Sequence, residues 1–301
     1  MNTKKGFLKR FEIFSFILSS PLRCLGAVIV ASLLFIAIFA PAIAPYDPYD
    51  INPVNRLSEI SFTHPFGTDN LGRDVLSRMF YGTRTALFVG MMGVSVSLLM
   101  GLILGMIAAY CGSIIDDAIL LLFDTLRSFP TIILILVIIS VVGPSITNIV
   151  LALAITFMST YGRAVRARTL SVKEEDYIKA AEALGARRLR IIRSHIIKNV
   201  VGPLIIMAGM DVGYMIALEA GLSFLGLGVP PPTASWGKML RVGFDYMLKD
   251  PLLIIWPSIA LFVAVAGFSL LAEALRNFLD PSVRRSVKGS LSAIRSQESI
   301  S

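Results

Sequence analysis

The sequence predicts an all-α integral membrane protein with six transmembrane helices. Three observations carry this. Of 301 residues, 55% are hydrophobic and 16% charged, with mean hydropathy +0.75, too apolar for an ordinary water-soluble domain. Several uncharged runs reach about 20 residues, which at about 1.5 Å per residue crosses a hydrocarbon core of about 30 Å. Lys and Arg gather on alternate connections, as expected of a chain threaded through a membrane.

In chain order, the first span is Leu25–Ala44, with Pro41 near its outer end. Lys4, Lys5, Lys9 and Arg10 precede it, and Ala42-Ile43-Ala44 has the look of a signal cleavage site. The run is longer than a signal core and is read as a retained span. A polar connection leads to about residue 83. The second span is Ala86–Ala109, without a charge. The third follows Asp116-Asp117 and runs to Val142, interrupted by Asp124, Arg127 and a kinking Pro130. After the Gly143-Pro144 turn comes a fourth, Ile146–Tyr161, closed by Arg163 and Arg166. The fifth is Val200–Leu218, broken beyond Glu219 by a Gly-rich segment, and the sixth Leu252–Ala272. The chain thus divides into residues 1–83 (tail, first span and connection), a core transmembrane domain 84–280 that includes the charged stretch 163–198, and a tail 281–301.

Six spans place both termini on one side, and basic residues choose it. The first 23 residues carry five Lys/Arg, 163–198 carries ten, and 276–301 five, against seven on the other side: Arg56, Arg73, Arg78, Arg84, Lys238, Arg241 and Lys249. Both termini and 163–198 are therefore expected in the cytoplasm. This asymmetry accounts for the net charge of +8 without nucleic acid. Cys24 and Cys111 fall near the membrane boundaries of different spans and read as packing residues.

Between the fourth and fifth spans lies a short helix with marked ends. Ser171 and Glu174 fit a capping box, Glu174, Glu175 and Asp176 suit a helix start, and Gly185 suits a left-handed stop. Tyr177, Ala181 and Leu184 line one face; Glu175, Lys179 and Glu182 line the other, with Glu175 and Lys179 at pairing distance. Leu189, Ile192 and Ile196 share a face of the next segment. The polar face is mixed rather than basic, which favours a protein partner over anionic lipid.

The stretch resembles the cytoplasmic EAA loop of permease subunits in bacterial ABC importers, Glu-Ala-Ala, three residues, Gly, nine residues, Ile-x-Leu-Pro. Lys179-Ala180-Ala181 keeps two of the first three positions and Gly185 the glycine, while His195-Ile196-Ile197-Lys198 departs from the end. The run 64–78, with Gly67, Asp69, Gly72, Arg73 and Asp74, is similar to the outward segment of the second permease of dipeptide, oligopeptide and nickel importers. So are Leu222 to Val229, Pro231-Pro232 and Ser235-Trp236-Gly237, and Leu270-Leu271, Ala274-Leu275-Arg276 and Leu279-Asp280-Pro281 near the end. The resemblance implies a type I importer permease fold in the bacterial inner membrane and no ATP hydrolysis by this chain. It implies partners: a homologous permease, two ATP-binding subunits and an extracytoplasmic solute-binding protein. The helix would dock in the ATPase through Tyr177, Ala180, Ala181 and Gly185, with Glu175, Glu182 and Arg187 at the rim. Peptide or nickel cargo are both compatible.

Other polar residues keep two readings. Asp211, mid-span, lines a pathway or is a structural acid. Asp124 and Arg127, three apart, form an intrahelical pair or a relay. Glu219 ties down the outer segment. Gly101 with Gly105, and Gly209 with Gly213, pack helices of this chain or a second membrane subunit. No phosphate loop Gly-x4-Gly-Lys-Ser/Thr occurs. His64 and His195 fall on opposite sides, so no metal or other cofactor is expected. A self-contained pore or ion-coupled carrier, using Asp211 as ion site, is the reading from a different class.

Overall fold

The computed structural model describes residues 20–279. Both tails, with Asp280 and Pro281, lie outside them. Every regular element among the described residues is helical. Helix α1, Pro21–Ile43, opens with proline, whose missing N–H costs nothing in a first turn, and carries Pro41 in its last.

Helix α2, Val75–Tyr110, begins well before the expected Ala86 and runs through the expected boundary at residue 83. The Asp74 carboxylate caps it, accepting from Ser77 N and Oγ at 2.7 Å each. Its 36 residues span about 54 Å, longer than a hydrocarbon core of about 30 Å, so an end protrudes.

The third span is two helices rather than one kinked helix. Helix α3, Ser113–Arg127, and α4, Thr131–Val142, meet at 95°. Ser128 N turns back to Asp124 O, and Pro130, unable to donate, starts the next helix. Helix α5, Ile146–Lys173, starts on the Ser145 hydroxyl and continues past Tyr161, so Arg163 and Arg166 lie inside it. Their charges do not end the helix because acids of α3 receive them.

Helix α6, Asp176–Ala183, is the short helix of the charged stretch. Helix α7, Arg188–Phe224, contains a π turn over Ile192–Ile196. The extra residue in that turn puts Ile191 and Ile196 on the buried side. The expected face of Leu189, Ile192 and Ile196 fails accordingly, with Leu189 75% exposed. Helix α8, Trp236–Asp245, and α9, Leu252–Leu279, complete the fold.

Helices α2 and α5 form the centre, with α7 against them, α9 on the outer side of α7, and α1 on α9 and α2. In lipid, close contact rather than exclusion of water holds helices together. A Cβ at Gly105 would lie 2.4 Å from Gly162 O, and one at Gly101 2.5 Å from Tyr161 Cβ. Gly209 and Gly213 meet Ala272 and Phe268 of α9. Both glycine pairs are thus occupied within the chain.

Candidate functional site

At one end of the bundle α6 stands on a single buried side chain, Ile178. The expected capping box does not form: Ser171 is inside α5 and Glu174 ends it, while Glu175 N-caps α6 through its extended backbone. Lys179 pairs with Glu174 at 3.0 Å, not with Glu175. That hydrogen bond raises the Lys179 ammonium above its ordinary range. Gly185 adopts φ +80°. Around it Ala186 N donates to Ala181 O at 3.0 Å and Gly185 N to Glu182 O at 2.9 Å, a Schellman stop that terminates the helix within one residue.

The exposed side of α6 carries Tyr177 (45% exposed), Ala180 and Leu184 (89%), with Ala181 half-buried. Glu175, Glu182, Gly185 and Arg187 are exposed around it. Tyr177 is steadied from behind by Asn199 Nδ2, 3.2 Å from its hydroxyl, and by the His195 ring at 5.8 Å. The scaffold beneath is tied by Lys173, whose Nζ donates to Ala109 O at 3.0 Å over the Tyr110 ring. A small, apolar, sharply ended surface is thus exposed at this end, carried between α5 and α7.

The opposite end is a bonded loop structure. Asp69 accepts from Leu71 N (2.8 Å), Arg73 N (3.1 Å) and Arg73 Nε (2.7 Å), and faces Arg78 Nε at 3.5 Å. Asp74 adds His64 Nδ1 at 2.9 Å to its capping bonds. Gly67 and Gly72 both have positive φ, and a Cβ at Gly72 would lie 1.8 Å from Asn52 O, so only glycine lets these strands of loop cross. The 225–235 segment is fastened by Glu219, fully buried, whose Oε1 accepts Ser223 Oγ at 2.7 Å and Ser235 Oγ at 2.8 Å. Thr85 Oγ1 donates to Ala234 O (2.8 Å) and Trp236 Nε1 to Met79 O (3.2 Å). Sequence reasoning missed these last two anchors; a buried tryptophan beside a Gly82 that leaves it room was the available signal.

Between the two ends, Asp124 and Arg127 do not pair. Asp124 binds Arg163 of α5, and Asp116 binds Arg166, so acids of one helix hold cations of another. At the α3–α4 break Arg127 instead lines a polar hollow of about 190 Å³ with Thr156, Ser159 and Thr160 of α5. Asp211 accepts the hydroxyl of fully buried Tyr161 at 2.6 Å, joining α7 to α5. Cys24 and Cys111 are both free thiols. No cluster of His, Cys, Asp or Glu suited to a metal occurs among the described residues.

A family model described as binding-protein-dependent transport system inner membrane component matches residues 101–285. The chain belongs to that family of permeases. A second model, the N-terminal TM domain of oligopeptide transport permease C, matches residues 16–62 of this permease. It is 38% identical to the dipeptide transport system permease protein DppC of Alkalihalophilus pseudofirmus, over 91% of this chain and 90% of that protein. It is 37% identical to the nickel transport system permease protein NikC of Escherichia coli, over 85% and 93%. With the oligopeptide transport system permease protein OppC of Bacillus subtilis identity is 33%, over 89% and 88%. The crystal structure of an amino acid ABC transporter with histidines superposes at TM-score 0.54 and 20% identity, covering 68% of this chain and 95% of that one. That places the permease in the type I importer fold. It is an ABC importer subunit of the membrane, with five helices long and apolar enough to cross it, or six crossings with the bent α3–α4 pair counted as one span.

Proposed function

We propose that this permease forms half of the translocation pathway of an ATP-driven peptide importer and receives the force of ATP hydrolysis through α6. The reading rests foremost on one observation: a short helix with defined ends, anchored by Ile178, leaves Tyr177, Ala180 and Leu184 exposed. The small Ala180 and Ala181 let a partner surface close tightly, and Glu182 and Arg187 supply polar contacts at the edge. The partner is a separate ATP-binding subunit, present in two copies, with a homologous permease completing the membrane pair. The α6 end faces the cytoplasm and the 44–74 and 225–251 segments face outward, where a solute-binding protein delivers cargo.

Closure of the ATPase subunits displaces α6. Because α6 sits between α5 and α7, the displacement turns those helices and opens the pathway outward. Di- or oligopeptide cargo is supported by the peptide permeases among the relatives, the dipeptide and oligopeptide ones included. Nickel complexes are the second reading, supported by similar identity to a nickel permease. The test is reconstitution in vesicles. The chain alone should transport nothing, and the full set of subunits should import labelled dipeptide only with ATP. Uptake by the chain alone, or nickel uptake without peptide uptake, would refute the assignment.

A further inference from the structure

A cavity of about 320 Å³ opens at the end of the bundle opposite α6. Its walls are the 69–75 loop, the first turn of α2, the 226–233 segment and one side of α8. Four cations line it, Arg73, Arg78, Lys238 and Arg241, against a single carboxylate, Asp69. Asp69 is already used: one oxygen accepts two backbone N–H groups and the other faces both Arg73 and Arg78. Arg241 has its own acid, Asp245, at 3.3 Å.

Lys238 is the residue left over. Its ammonium makes no hydrogen bond or ion pair among the described residues. Burial, and then the facing Arg78 and Arg73, hold it below the ordinary lysine range. Glu219 lies behind the wall; its Oε1 is taken by Ser223 and Ser235, its Oε2 is buried without a hydrogen-bond partner, and it acts on Lys238 through space. The Ser223 hydroxyl is also spent, donating to Glu219 and accepting from Val229 N at 3.1 Å. Three cations thus share a partly dehydrated space with one lining acid, Asp69, and a second, Glu219, behind the wall, an excess of positive charge that an anion would relieve.

Asn70, Ser223 and Thr233 add neutral polar groups, Asn70 with a buried, unpartnered Oδ1, and the rest of the lining is apolar, including Val75, Met239, Val242 and Leu253. A ligand that fits is therefore amphiphilic, an anionic group on an apolar body. The volume equals that of roughly ten waters at about 30 Å³ each, more than one acidic side chain fills. The Asp69 carboxylate in the wall repels a doubly charged phosphate more than a single carboxylate, and tolerates a ligand that also carries an ammonium. We infer that this cavity binds the C-terminal carboxylate of a short peptide, with Lys238, Arg73 and Arg78 as its donors. The inference rests on the peptide reading above and adds to it a site on the permease itself.

The test is calorimetric titration of the assembled transporter, without binding protein, in phosphatidylcholine nanodiscs. Leucyl-leucine should bind saturably, and leucyl-leucinamide, which lacks the carboxylate, about tenfold to a hundredfold more weakly, as loss of a charge-assisted hydrogen bond implies. Lys238→Met should weaken leucyl-leucine by a similar factor, while Lys238→Arg keeps it. Equal binding of acid and amide overturns the inference, as does unchanged binding by an assembled Lys238→Met variant. So does a cavity filled only by inorganic phosphate or by phosphatidylglycerol added to the disc. If Lys238→Met fails to assemble, the acid–amide comparison on the wild type decides alone. Peptide uptake by cells is measured in parallel. Intact uptake without carboxylate preference removes the cavity site and leaves the function standing, whereas absent uptake removes the function.

Discussion

Replacing Ile178 by alanine should release α6 from the bundle while leaving the bundle folded. Helices of eight residues are unstable alone, because nucleation is unfavourable and few hydrogen bonds follow. Helix α6 therefore depends on its anchor, and Ile178 is its only fully buried residue. An Ile→Ala change at such a site costs about 2–5 kcal/mol. At about 1.4 kcal/mol per tenfold, that raises local opening by about 30-fold to some thousands-fold. Hydrogen exchange of amides 178–184 in the assembled transporter reads this directly. Leu184→Ala is the control, since a side chain 89% exposed should alter exchange little when the partner is absent. Unchanged exchange in Ile178→Ala, or equal acceleration by both variants, would refute the division of α6 into an anchored side and a docking side.

Other expectations concern the scaffold. Glu219→Ala leaves the Ser223 and Ser235 hydroxyls without their shared acceptor, at about 1–3 kcal/mol for each stranded group. The melting temperature of the purified complex should fall, and an unchanged value would show that the outer segment is held otherwise. Asp124→Arg should lower membrane levels, and adding Arg163→Asp should restore them, whereas Arg127→Gln should not affect the pair. Rescue through Arg127 instead would contradict the α3–α5 ion pair. Asp211→Asn keeps an oxygen for the Tyr161 hydroxyl and should retain peptide uptake at normal membrane level. Lost uptake at that level would make Asp211 a pathway residue.

The membrane class and the five long spans were legible because hydrocarbon thickness imposes a run length that the chain displays directly. The ends of helices were less legible, because charge is ambiguous there. Arg163 and Arg166 looked like the end of a span, yet α5 continues, since Asp124 and Asp116 arrive from α3. Asp124 likewise found its partner across a helix interface, which spacing within one helix could not reveal. Gly185 was readable because only its local backbone is involved. Ile178 was not, because the π turn and the α5–α6 elbow decide which side of α6 meets the bundle. The cationic cavity was equally hidden, drawing Arg73 and Lys238 from segments far apart in the chain.

The most direct measurement is steady-state ATP hydrolysis by the assembled transporter carrying Ala181→Glu, with binding protein and peptide added. Ala181 sits half-buried on the exposed side of α6, where a longer charged side chain would hold a partner surface away. The subunits should reach the membrane at normal levels, while stimulation of ATP hydrolysis by loaded binding protein and peptide uptake are both lost. Full stimulation and uptake in a variant that assembles normally would show that α6 does not carry the coupling.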